Sequence, residues 1–145
     1  MILIAVVLTA YMVILAALAV AAPGIGLAGT LVTFVPDGWQ DWAHVPAYGL
    51  LGWLAIQGFR LRGWPLSYAL VCGTLLVIVF GLWTEVAQGS APGRDSSLQD
   101  LMHDAMGGMI AATLVFGQYI WTRDATDETV APTVGFLRTK GVPSK

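Results

Sequence analysis

Long apolar stretches alternate with short polar ones along this chain, and the alternation predicts its elements. The apolar stretches run from Met1 to about Ala22, from about Asp41 to Phe59, from about Pro65 to Gln88, and from about Leu101 to Trp121. A helix needs about 20 predominantly apolar residues to cross the hydrocarbon core of a bilayer. The pattern therefore predicts an all-α, polytopic membrane protein with four transmembrane helices. Its membrane domain is expected over residues 1–121 and a polar tail over 122–145. Ala19-Val20-Ala21 resembles a small-residue cleavage site, but no basic residue precedes the first stretch, and its apolar run exceeds the usual length of about 7–15 residues for a signal peptide. The first stretch is expected to be a retained membrane helix.

Between the stretches, residues 23–40 are rich in glycine and apolar residues and are expected to lie along the outer surface without crossing again. Ser90, Pro92, Gly93, Ser96 and Ser97 mark a loop between the third and fourth helices. From Thr122 the chain turns polar and reads as a mobile tail.

Basic residues orient the helices. Arg60 and Arg62 follow the second helix, and Arg123, Arg138, Lys140 and Lys145 follow the fourth, whereas the opposite side carries Arg94 alone. The positive-inside rule then places both termini and the Arg60–Arg62 turn in the cytoplasm. Trp64 and Trp121 fall at the inner interface, and Trp39, Trp42 and Trp83 near the outer one, as an aromatic belt requires.

Composition agrees. Of 145 residues, 57% are hydrophobic and 11% charged, against roughly 25% charged in soluble domains. A net charge of −2 without a basic patch excludes nucleic acid as a partner. The lone Cys72 cannot form an intrachain disulfide.

This topology sends the ionisable residues to one rim. Asp41, His44, Glu85, Gln88, Arg94, Asp95, Asp100, His103 and Asp104 come from three separate stretches yet share the outer interface. Charges at a bilayer edge are costly, so a shared location implies that they satisfy one another or serve a site. Asp41 and His44 stand three apart on one helical face, which Tyr48 extends. Asp41 is placed to cap the second helix, and Pro46 to bend or delay its first turn. His44 alone would read as a core histidine bonded to a carbonyl.

Glu85 and Gln88 close the third helix. A carboxylate there faces the negative end of the helix dipole and needs a donor. Arg94 and His103 are the nearest candidates, and Arg94 could hold either Glu85 or an anionic ligand with its guanidinium fork. Asp100 suits the first turn of the fourth helix as a cap, while Asp104 lies deeper. Gly107, Gly108, Ala111 and Ala112 form a small-residue face expected to pack closely on the second or third helix. Such packing would carry Asp104 inward against His44 and Glu85.

Two histidines and several carboxylates could supply a zinc or iron site on facing helices. Neither a Glu-x-x-His pair nor a His-Glu-x-x-His helix is present, so no metal or other cofactor is expected. No motif sets a serine beside a base. Acid/base chemistry stays open, because burial alters how readily carboxylates hold protons.

Asp41-Trp42-Ala43-His44, Glu85-Val86-Ala87-Gln88, Arg94 with Ser96 and Ser97, then Asp100 and Gly107, in this order and spacing, resemble the VanZ-like family of small multi-helix membrane proteins, named for a protein associated with teicoplanin resistance. The match covers roughly residues 41–112. Family members commonly carry asparagine at the place of Asp104, so this chain adds a carboxylate. The resemblance implies a multi-pass protein of the bacterial cytoplasmic membrane with a link to the cell envelope, and supplies no reaction.

Three functions fit these residues. The outer rim could bind or process an anionic envelope molecule such as a lipid-linked phosphate, with Arg94 and the histidines holding the anion. The cluster could serve a membrane acid/base or metal-dependent enzyme. It could also lock the helices of an accessory subunit that packs against other membrane subunits. The first is the expectation carried forward.

Overall fold

The structure, a computed structural model, describes residues 2–21, 24–34, 36–90 and 96–138. Among these, every regular element is a helix: α1 (Ile2–Ala19), α2 (Gly26–Thr33), α3 (Asp37–Arg60), α4 (Leu66–Gln88) and α5 (Leu98–Arg138). The chain divides into two units, residues 1–113 and 114–145. The first holds α1 to α4 and the opening turns of α5. The second begins within α5 and takes in the rest of that helix and the C-terminus.

Two helices, α1 and α4, are long and apolar enough to cross a membrane by length and composition. Between α1 and α3 lies the eight-residue α2, where the hydrophobic pattern alone predicts no element; at about 1.5 Å per residue it is far too short to cross. The α3 helix begins at Asp37, with Pro36 at its N-cap position, and runs through Pro46 without a break. Asp41 is therefore inside the helix and not its cap. Pro36 at the N-cap offers no side-chain acceptor to the first N–H groups of the helix. From Thr122, α5 continues as helix to Arg138, where the polar composition suggests a tail.

The first unit is built on α3. It packs against both α1 and α4, and α1 also touches α4. Leu15, Tyr48, Leu51 and Val77 form the centre of the apolar core, with Leu8, Tyr11, Met12, Ala47, Leu76 and Phe80 around it. Tyr11 ties α1 to α3 by donating its hydroxyl to the Ala47 carbonyl at 3.0 Å.

Glycines let α5 approach. A Cβ on Gly107 would strike the Val45 carbonyl oxygen, lie 2.7 Å from the Gly49 nitrogen, and have no room to shift them, because both are backbone. At Gly108 a Cβ would meet Val77 of α4 at 3.0 Å, and one on Gly52 would stand 3.3 Å from the Ala111 methyl. The small-residue face of α5 thus seats in the groove between α3 and α4, as close helix crossings require.

On α4 the usual arrangement of a surface helix is inverted. Val71, Leu75, Val79, Leu82 and Val86 are each more than half exposed, while Thr84, Glu85 and Gln88 are buried. In water the apolar stripe would face the core and the polar groups the solvent. Here the outward surface is apolar and the polar groups face the other helices.

Candidate functional site

Antiparallel connections bring the start of α3, the end of α4 and the start of α5 together at one end of the first unit. His44 Nδ1 lies 2.7 Å from Asp104 Oδ1 across the α3–α5 contact. Asp104 is completely buried and His44 retains one fifth of its side-chain exposure. One turn further into α3, the Tyr48 hydroxyl meets the Thr84 hydroxyl of α4 at 2.6 Å. Thr84 spends its own proton on the Gly81 carbonyl at 2.8 Å, so Tyr48 is the donor of the pair. The His44 and Tyr48 rings lie parallel, with centroids 5.8 Å apart. Both belong to the face of α3 that looks into the bundle.

Glu85 finds its donor in the backbone. The Ser97 N–H donates to Glu85 Oε2 at 2.7 Å, just ahead of the first residue of α5. A helix N-terminus offers unpaired N–H groups and the positive end of its dipole. The end of α4 is thus an unfavourable place for a carboxylate that the start of α5 makes tolerable. The Ser97 hydroxyl accepts from the Asp100 N–H at 3.4 Å, the long limit of a hydrogen bond. Ser97, and not Asp100, stands at the cap of α5.

The other expected site residues are placed less uniformly. Gln88, one turn past Glu85, is buried. His103 is buried beside Asp104, its ring 4.9 Å from that of Trp42. Asp100 and Asp41 are half-buried. Arg94, the expected cation of the cluster, and Asp95 lie outside the described residues.

Among the described residues, Glu85 Oε1, Gln88 Oε1, Asp100 Oδ1, His103 Nδ1 and Asp104 Oδ2 are buried without a hydrogen-bond partner. Buried polar atoms are nearly always paired, and each orphan costs about 1–3 kcal/mol. Five in one place form a concentrated demand for donors or a cation. One ligand atom each from His44, Glu85 and Asp104 lie within 4.8 Å of one another. Two ionised carboxylates at that distance would repel by roughly 3 kcal/mol at an effective dielectric constant near 20. A proton on one carboxylate or a nearby cation relieves that repulsion.

No family model, curated protein or solved structure matches this chain.

Gly81 and Thr84 belong to the site although residue type does not flag them. A Cβ on Gly81 would stand 2.7 Å from Asp104 Oδ2, so a larger residue would push the carboxylate of α5 away from the backbone of α4. The signal available in the sequence is spacing: Gly81 precedes Glu85 by one helical turn, and Thr84 precedes Gln88 by one.

Proposed function

We propose that the chain is a VanZ-like, multi-pass protein of the bacterial cytoplasmic membrane, with four transmembrane helices and both termini in the cytoplasm. In this account the rim formed by α3, α4 and α5 faces outward and binds or processes an anionic envelope molecule such as a lipid-linked phosphate. One observation carries the proposal: a buried polar cluster with five atoms unpartnered among the described residues, inside a bundle whose outer surface is apolar. A cluster serving only to lock helices would saturate its own hydrogen bonds, because each unpaired atom weakens the lock. This one leaves capacity unused at the end of the unit.

The unpartnered atoms are chiefly acceptors, so an anion can be held there only through a positive group. Arg94 supplies one by sequence position, and either histidine supplies another when protonated. A lipid-linked phosphate suits a site with an apolar flank, since its chain can stay in the bilayer beside α4 while the headgroup reaches the rim.

The experiment is stabilisation in nanodiscs. Adding a polyprenyl phosphate should raise the melting temperature more than the same polyprenol without phosphate, and Arg94→Ala should remove the difference. Equal shifts from both lipids would refute headgroup recognition.

A further inference from the structure

We propose that His44, Glu85 and Asp104 bind one divalent first-row metal ion, zinc or manganese in class. The donor set is an imidazole nitrogen and two carboxylates from three different helices, with one ligand atom of each already within 4.8 Å of the others. Imidazole favours first-row metals over magnesium and calcium, and carboxylates widen the choice toward manganese.

The orphaned oxygens are a second and independent observation. Glu85 is 5% exposed and Asp104 not at all, and among the described residues one oxygen of each carboxylate has no partner. The two are held for coordination in different ways. Ser97 N–H fixes Glu85 Oε2 and leaves Oε1 free, the arrangement by which outer hydrogen bonds orient a ligating carboxylate. Asp104 gives Oδ1 to His44 and turns Oδ2 toward Gly81 on α4, the helix that carries Glu85 one turn later.

Charge and size agree. A dication with two carboxylates sums to zero, which removes the repulsion that burial would otherwise magnify. Tetrahedral metal–ligand bonds of about 2.0–2.2 Å place ligand atoms about 3.3–3.6 Å apart, so from a spread of up to 4.8 Å the widest pair must close by up to about 1.5 Å. His44 would meet the cation through Nδ1, with its imidazole proton on Nε2, and Asp104 through Oδ2, unpartnered among the described residues; the protons that neutralise the buried carboxylates in the empty site would leave to solvent on binding. Three protein ligands leave coordination positions open. If the anion site proposed above is correct, a phosphate oxygen would fill one of them; the metal site itself does not depend on that.

The test uses the full chain in detergent, stripped with chelator, in phosphate-free buffer without added lipid. Zinc chloride titrated by calorimetry should show one equivalent, with a heat that varies with buffer as proton release requires. Glu85→Gln and Asp104→Asn should each weaken binding at least tenfold, while Asp127→Asn, outside the rim residues, leaves it unchanged. Manganese bound to the unaltered protein should show coupling to an imidazole nitrogen in pulsed electron paramagnetic resonance, lost in His44→Gln. No saturable binding, equal affinity in the Glu85→Gln and Asp104→Asn variants and the unaltered protein, or no nitrogen coupling in the unaltered protein overturns the proposal. The last of these decides even if the variants fail to fold. Failure here would leave phosphate recognition to Arg94, and failure of the polyprenyl phosphate experiment would leave the metal site standing.

Discussion

His44 and Asp104 lie sixty positions apart, and their side chains meet at 2.7 Å with the carboxylate wholly enclosed. The contact joins α3 to α5 above the crossing where Gly49 faces Gly107. Removing the carboxylate strands the His44 N–H, at a cost of about 1–3 kcal/mol. Asp104→Ala should therefore lower the thermal stability of the detergent-solubilised protein. Asp104→Asn keeps an acceptor for the His44 N–H and should stay close to the unaltered protein. Equal melting temperatures for Asp104→Ala and the parent would show that the contact contributes nothing.

The crossing itself is steric. Gly107→Ala places a methyl against the Val45 carbonyl and the Gly49 nitrogen, and should cost about 1–3 kcal/mol through overpacking. Gly58 on α3 has nothing within 4 Å of where its Cβ would stand. Gly58→Ala should be neutral or stabilising by up to about 1 kcal/mol, since alanine is the better helix former. Denaturation of the two variants side by side checks the contrast, and similar behaviour would contradict the close approach.

The Tyr48–Thr84 bond should respond asymmetrically. Tyr48→Phe leaves Thr84 still bonded to the Gly81 carbonyl, so only one net hydrogen bond is lost, at about 0.5–1.5 kcal/mol. Thr84→Val strands the Tyr48 hydroxyl inside the bundle and should cost more, about 1–3 kcal/mol. Equal losses, or a larger one for Tyr48→Phe, would reverse the assignment of donor and acceptor.

Glu85 anchors the start of α5 through Ser97. Hydrogen exchange at the Ser97 amide should accelerate in Glu85→Ala, and the amides of α3 around Leu54 should keep their protection. Unchanged exchange at Ser97 would show that the bond to Glu85 does not hold the α5 terminus.

Much of this arrangement is legible in the sequence, and the parts that are not have physical reasons. The apolar stretches locate α1, α3, α4 and α5, and three-residue and four-residue spacings put His44, Glu85 and Asp104 on inward faces. Hydropathy marks where apolar residues begin, however, and not where helical hydrogen bonds begin. Hence α3 opens at Asp37, before its apolar run, and α2 goes unpredicted among short, glycine-rich residues. The donor to Glu85 is a backbone N–H, a group every residue but proline carries, so no side-chain type announces it. Gly81 reads as one more small residue in an apolar helix until the carboxylate of Asp104 is seen against it. For Arg94, charge and position are all that the chain shows.

The central claim is a membrane-spanning bundle with its polar rim on the outer side. Labelling of single cysteines in intact cells, with Cys72 replaced by alanine, tests it most directly. A cysteine at Ser96, exposed beside the start of α5, should react with a membrane-impermeant maleimide. One at Leu61, exposed in the turn between α3 and α4, should react only after the cells are permeabilised. Labelling of Leu61→Cys in intact cells, with Ser96→Cys protected until permeabilisation, would place the polar rim in the cytoplasm and contradict the account.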